Sequence, residues 1–263
     1  MNTSPNILAA IGNTPLVQLR KVIQPGSARV VAKLEGSNPT GSMKDRMAMA
    51  MIEAAESDGS LKPGGRVVEF TGGSTGTSLA MVCAAKGYPL SIVTSNAASL
   101  EKRSHMKALG AEMTVLHSEG GKVTNELFKA LLAASEKIAR ETGAFWTNQF
   151  KNLNQAAGYK SLGQEIWDQT GGQVDAFVHV VGTCGSLRGV ATSLRNRDPR
   201  VHVVAVEPVE SPVLSGGTPG SHRIEGVGVG QIPFLWDTTL VNSIEQVSTH
   251  EAEEMARRLA QEE

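Results

Sequence analysis

The pattern of apolar and polar positions predicts short strands alternating with helices. Apolar, partly β-branched runs at 28–35 (ARVVAKLE), 65–71 (GRVVEFT), 88–95 (YPLSIVTS), 111–117 (AEMTVLH), 174–182 (VDAFVHVVG) and 201–208 (VHVVAVEP) have the length of buried strands. Helical patterns stand between them: DRMAMAMIEAAESDG behind Lys44, with Gly59 as its stop, then GTSLAMVCAAKG, SLEKRSHMKALG, TNELFKALLAASEKIARETG and a helix after Gly185. Strands spaced by helices of this length predict an α/β fold with a mainly parallel sheet and helices on both faces. The final segment, THEAEEMARRLAQEE, reads as a helix capped by Thr249 with no Gly, Asn or Pro to stop it, so Glu262 and Glu263 fall at the negative end of its dipole. A domain of this kind rarely ends there, and the expectation is that a C-terminal part is missing from this chain.

Composition narrows the function classes. The 263 residues are 40% hydrophobic, enough for one large domain or two smaller ones with proper cores. Net charge is −1 with no block of like charge, which argues against a nucleic-acid or anionic-membrane partner. No stretch approaches the roughly 18 apolar residues of a membrane span, and the opening MNTSPNILAAIGNTPL lacks the basic start and apolar core of a signal peptide. Cys83 and Cys184 form no CxxC or CxxH, and the histidines show no HxxxH or HExxH spacing, so neither a disulfide framework nor a metal is expected. The expected setting is the reducing cytoplasm. Met47, Met49 and Met51 alternate and cannot share one helix face, which makes them packing residues; Trp146, Trp167 and Trp236 are expected in the core or at an interface.

Candidate chemistry gathers at glycine-rich turns. TGGSTGTS (71–78) and VGTCGSLRG (181–189) each follow a strand and open a helix, the position where parallel α/β sheets bind ligands. Glycines there let backbone N–H groups reach an anion beside a helix N-terminus. GGSTG also fits the G-x-S-x-G nucleophile elbow, but only two strands precede it and His250, in the terminal segment, is a weak triad partner. As a dinucleotide fingerprint the first loop misplaces its third glycine, and LSIVTS ends without a ribose-binding acid. A third turn, SNPTGSMKDR (37–46), sets Ser42 as a candidate cap and Lys44 in the first turn of a helix, where the dipole costs a cation a few tenths to about 1 kcal/mol. A solvated surface lysine remains possible on these residues alone. An amine at such a site has a lowered pKa, which suits a nucleophile that forms a Schiff base. A carbonyl cofactor that also carries a phosphate, such as pyridoxal phosphate, would use both the lysine and a glycine-rich helix start.

Taken in order, these segments resemble the cysteine synthase and cystathionine β-synthase family of pyridoxal-phosphate enzymes of fold type II. NPTGSMKDR resembles the family's cofactor-lysine motif, with Met43 where a β-branched residue is usual. IGNTPLVQL (11–19), SLEKRSHMKALGAEMTV (99–115), NQF (148–150), GQEIW (163–167), GTCGSLRGV (182–190) and VEPVESPVLSGG followed by HRIEGVGVGQIP fall in the family's order, from about residue 8 to the end. No cysteine-based haem site or regulatory domain is visible, which weakens a cystathionine β-synthase assignment.

The resemblance implies two open, mainly parallel-sheet domains: a smaller one at 36–149, and a larger one of 1–35 plus 150–263, with the cofactor between them. It implies that Lys44 binds the cofactor and moves the substrate's Cα proton. Gly182, Thr183, Cys184, Gly185 and Ser186 would cradle the phosphate, Cys184 by position rather than for sulfur chemistry. Thr71, Gly72, Ser74 and Thr75 would close on the substrate carboxylate with Gln149 as helper. Ser74 stands where an asparagine usually meets the ring hydroxyl, Gly72 replaces a usual serine, and Gly228 would line the cofactor's open side. The implied reaction is β-replacement, forming L-cysteine from O-acetylserine and sulfide, in a homodimer. Another β-leaving group or nucleophile within the family, or a catalytically silent binding protein, are the alternatives.

Overall fold

The structure, a computed structural model, describes residues 4–121 and 123–263. Along the chain run β1 (Leu16–Gln18), β2 (Val31–Lys33), α1 (Lys44–Ser57), β3 (Val67–Phe70), α2 (Ser74–Lys86), β4 (Leu90–Ser95), α3 (Leu100–Ala108) and β5 (Glu112–Leu116). Then follow α4 (Asn125–Thr142), β6 (Phe145–Trp146), α5 (Asn154–Gly158), α6 (Lys160–Gln169), β7 (Ala176–Val180), α7 (Gly185–Arg195), β8 (His202–Pro208), β9 (Ser243–Val247) and α8 (Thr249–Glu262). The described residues form two compact units, one of residues up to Gly12 with Asn38–Gly158, the other of Asn13–Ser37 with Tyr159–Glu263. Residues 150–158 group with the first unit because α5 packs against α1.

In the first unit four strands lie in the order β5-β4-β3-β6, every pair parallel, with Val67 opposite Leu90 and Val68 opposite Trp146. Every residue of β3 and β4 is buried, which is why their sequences read as continuous rather than alternating runs. Side chains still alternate across the sheet. Val68, Phe70 and Val93 join Leu131 and Ala144 in one cluster, rimmed by Phe128 and Phe150 in edge-to-face contact at 5.3 Å between ring centroids. Glu69, between two members of that cluster, therefore faces the other way. Met47 and Met51 are fully buried filler, while Met49 is only half-buried.

In the second unit β7, β8 and β9 form a parallel sheet with β8 central. The run at 28–35 does not join it. Only Val31–Lys33 is extended, and it pairs antiparallel with β1, Leu16 opposite Lys33. Lys33 Nζ anchors this ribbon to α6 by donating to Glu165 Oε2 (2.7 Å), Gln169 Oε1 (2.9 Å) and the Thr14 carbonyl (2.6 Å). The cap of α8 also differs from the expected Thr249. Ser248 Oγ accepts from Glu251 N at 3.2 Å and Glu251 Oε2 from Ser248 N at 2.8 Å, a reciprocal capping box that a residue one place later cannot make. The two acids at the other end of α8 have cationic or N–H partners. Arg258 Nε donates to Glu262 at 2.9 Å, and Glu263 Oε1 accepts from the backbone N–H groups of Arg20, Lys21 and Val22. No described helix is long and apolar enough to cross a membrane.

Candidate active site

Lys44 opens α1 as the sequence predicts, but Ser42 is not the cap. Met43 holds the N-cap position with helical φ/ψ (−58°, −17°) and no side chain caps the helix; Ser42 Oγ takes only the Lys44 N–H, at 3.2 Å. Asp45 secures this turn instead. Its carboxylate reaches back to accept from Thr40 N (2.9 Å) and Thr40 Oγ1 (2.5 Å), and Thr40 Oγ1 lies 3.2 Å from Ser78 Oγ on α2. The buried Asp45 also places an anion at the positive end of the helix dipole, offsetting the cost of the neighbouring lysine. Asn38 fixes the far side of the turn by accepting from Gly12 N at 2.8 Å. Removing the clamp tests its weight: Asp45→Ala leaves two Thr40 donors without their acceptor and is expected to cost about 2–3 kcal/mol in urea unfolding. A loss under about 0.5 kcal/mol would mean the turn holds itself.

The Lys44 side chain is partly buried, and desolvation pulls its amine down to about 8. Near pH 8 about half of such an amine is neutral and nucleophilic, whereas an ordinary lysine is almost entirely charged.

The second expected element, residues 71–76, links β3 to α2. Thr71 and Thr75 are buried, and Gly72, Gly73 and Ser74 are more open. Thr71 Oγ1 accepts from Gly73 N at 3.2 Å, and Gly73 offers α2 no side-chain cap. The Ser74 and Thr75 N–H groups thus begin an uncapped helix, an arrangement that suits a carboxylate. Thr75 and Gln149 come together: Thr75 Oγ1 donates to Gln149 Oε1 at 2.7 Å, and Gln149 Nε2 donates to the Phe70 carbonyl at 3.0 Å. The Phe70 bond settles which end of the amide faces Thr75 and leaves Gln149 one spare N–H for a ligand.

In the second unit the expected phosphate loop leads from β7 into α7. Cys184 holds the N-cap position in the left-handed region (φ 70°, ψ −3°) and supplies no cap. A non-glycine residue there costs about 1–2 kcal/mol. Burial pushes its thiol up to about 12, so it stays protonated and unreactive. Ser186 Oγ lies 2.8 Å from His179 Nε2. Gly182 must be glycine for space: a Cβ there would stand 2.6 Å from the Gly226 carbonyl oxygen. The two loops are stitched by Gly228 N donating to Val181 O at 3.0 Å, and His222 Nε2 donates to Gly228 O at 3.0 Å. Beside this stitch lies a small pocket lined by Val181, Gly182, Glu207, Ser211 and Gly228, into which the fully buried Ser211 hydroxyl brings an unsatisfied polar atom.

Glycine-cleared space, an uncapped helix start and the absence of any carboxylate from residues 182–186 fit a phosphate. The Glu207 carboxylate nearby is committed to Leu214 N, Ser215 N and Ser215 Oγ. With the low-pKa amine at Lys44, the residues present fit pyridoxal phosphate. The sequence reading missed Asp45, Glu69, His179 and His222. Glu69 did leave a signal, a lone charge inside an otherwise apolar strand; the histidines left none.

The chain matches the family model described as pyridoxal-phosphate dependent enzyme over residues 7–263. It is 43% identical over 260 residues to a cysteine synthase of Staphylococcus aureus, covering 98% of this chain and 82% of that protein. Among solved structures it is similar to a cysteine synthase of Entamoeba histolytica (TM-score 0.92, 37% identity, 99% of this chain and 77% of that one). It is also similar to an O-ureido-L-serine synthase (TM-score 0.91, 34% identity, 98% and 80%) and to a hydrogen sulfide-producing enzyme of Fusobacterium nucleatum (TM-score 0.93, 36% identity, 100% and 85%). A partly buried, low-pKa lysine at a helix start, glycine loops opening uncapped helices, and relatives that match nearly the whole chain agree: this protein belongs to the family of pyridoxal-phosphate dependent enzymes.

Proposed function

We propose that this enzyme makes L-cysteine by β-replacement, releasing acetate from O-acetylserine and putting sulfide in its place. The observation that carries the reading is the Lys44 amine, held near 8 by burial at the start of α1, in a chain so close to cysteine synthases. Bound pyridoxal phosphate supplies the electron sink that makes a Cα proton acidic and a β-substituent able to leave. The chain's own residues do the rest. Lys44 would hold the cofactor's carbonyl carbon in the resting enzyme; once the substrate's amine has taken its place there, the freed Lys44 amine would take the Cα proton and later return it. Backbone N–H groups of Gly182–Ser186, with the hydroxyls of Thr183 and Ser186, hold the phosphate at the start of α7. Thr71, Gly72, Ser74 and Thr75 receive the substrate carboxylate on the N–H groups that open α2, helped by the spare N–H of Gln149. Ser74 would also meet the ring hydroxyl, and Gly228 would keep the loop beside the cofactor free of side chain.

The enzyme's setting in this reading is the cytoplasm, as a homodimer; the two free, buried cysteines suit a reducing compartment. Donor choice tests the reaction. Purified protein given sulfide with O-acetylserine, serine or O-phosphoserine is expected to form cysteine fastest from O-acetylserine. Cofactor binding with no cysteine from any of the three would favour the second reading, a β-replacement with another leaving group or nucleophile. The replaced residues Gly72 and Ser74 keep that reading open.

A further inference from the structure

We propose that Glu69 is a positioning residue for substrate recognition: its carboxylate holds the turn that aims the Gln149 amide at Thr75. The role rests on the carboxylate site proposed above for Thr75 and Gln149. Glu69 is fully buried in the middle of a parallel sheet, an expensive place for a carboxylate unless its oxygens are occupied. They are. Glu69 Oε1 accepts from Phe70 N at 2.7 Å, and Oε2 accepts from Thr147 Oγ1 at 2.6 Å and from Gln149 N at 3.0 Å.

Position explains why a side chain is needed. β6 pairs with β3 only at Phe145 and Trp146, and the last ladder bond runs from Thr147 N to Val68 O at 3.2 Å. Asn148 then turns into the left-handed region (φ 44°), so Gln149 N leaves the ladder and has no strand carbonyl to meet. Glu69 supplies the missing acceptor. From the other side Gln155 Nε2 donates to the Gln149 carbonyl at 2.5 Å, so both backbone groups of Gln149 are pinned by side chains. With the backbone fixed, the Gln149 amide bridges the Phe70 carbonyl and the Thr75 hydroxyl. The carboxylate thus acts through Gln149 and touches no substrate. Burial raises the Glu69 carboxyl to about 7, the mark of a group held against its preference.

Glu69→Gln keeps the shape but turns an NH2 toward donors on one side or the other. Steady-state kinetics on cofactor-saturated enzyme is the readout. KM for O-acetylserine is expected to rise about tenfold, with kcat changed less than about threefold, while KM for sulfide and the cofactor's Kd are unchanged. Gln149→Ala and the double variant complete the cycle. Because Glu69 works through Gln149, Glu69→Gln is expected to add nothing to KM in the Gln149→Ala background. A rise of equal size in both backgrounds, or a lower melting temperature with unaltered KM, overturns the proposal and leaves Glu69 a fold residue. If Gln149→Ala itself leaves KM untouched, the carboxylate site is wrong and the role of Glu69 falls with it. Should Glu69→Gln not fold, Thr147→Val removes one of the bonds on Oε2 at almost constant shape. It is expected to raise the same KM about threefold, and an unchanged KM there overturns the proposal as well.

Discussion

Replacing Lys44 with methionine is expected to abolish catalysis and, in the cofactor-free protein, to raise stability at neutral pH. Activity should fall by about 10³-fold or more, because the variant loses both its attachment to the cofactor and the base that moves the Cα proton. Activity within about tenfold of wild type would remove Lys44 from the mechanism. The stability gain follows from linkage. The folded amine titrates near 8 instead of the unfolded 10.5. Between those values the unfolded chain binds more protons than the folded one, so wild-type stability climbs as pH rises from 8 to 10.5. Below pH 8 the penalty for burying the ammonium is present in full, up to about 3 kcal/mol. Methionine keeps a long apolar stem without the charge. Urea unfolding of the two cofactor-free proteins should therefore show the variant ahead at pH 7, with the lead shrinking above pH 8 and largely gone near 10.5. An advantage that ignores pH would mean that packing, not desolvation, separates them.

Gly182→Ala is expected to cost about 10²-fold in pyridoxal phosphate affinity, through geometry alone. The new methyl would lie 2.6 Å from a backbone oxygen, that of Gly226, which cannot rotate away as a side-chain end could. The 182 and 226 loops must then separate, pulling on the bond from Gly228 N to Val181 O and on the N–H groups at the head of α7. Titration of the cofactor-free protein by absorbance measures the loss, and Gly36→Ala, where an added Cβ meets nothing within 4 Å, is the control. An unchanged affinity at Gly182 would mean the loops yield freely and the phosphate is held elsewhere.

Much of this architecture is legible along the chain because buried parallel strands announce themselves. β3 and β4 are buried on both faces, and short apolar-rich runs of that length between turn signals and helical patterns point to such strands. β1, β6 and β9, with three, two and five residues, left no clear run in the sequence, and they exist because a neighbour offers backbone partners. Helix starts were near misses. Ser248 and Thr249 are both good caps, and only the reciprocal bonds with Glu251 choose between them; Ser42 and Asp45 flank Lys44, and only folding shows that the acid clamps Thr40.

By itself the sequence determined the alternation of strand and helix, the lysine at a helix start, and the glycine loops that open α2 and α7, since each depends on residues near in the chain. Tertiary structure decided which distant groups brace the turns. Glu69 reaches Thr147 and Gln149, Gly228 binds Val181, and Glu263 gathers the N–H groups of residues 20–22, all across long separations. The physical reason is common to all three: a backbone N–H that leaves regular structure must find an acceptor, and which distant oxygen arrives depends on how the chain packs, not on its local pattern.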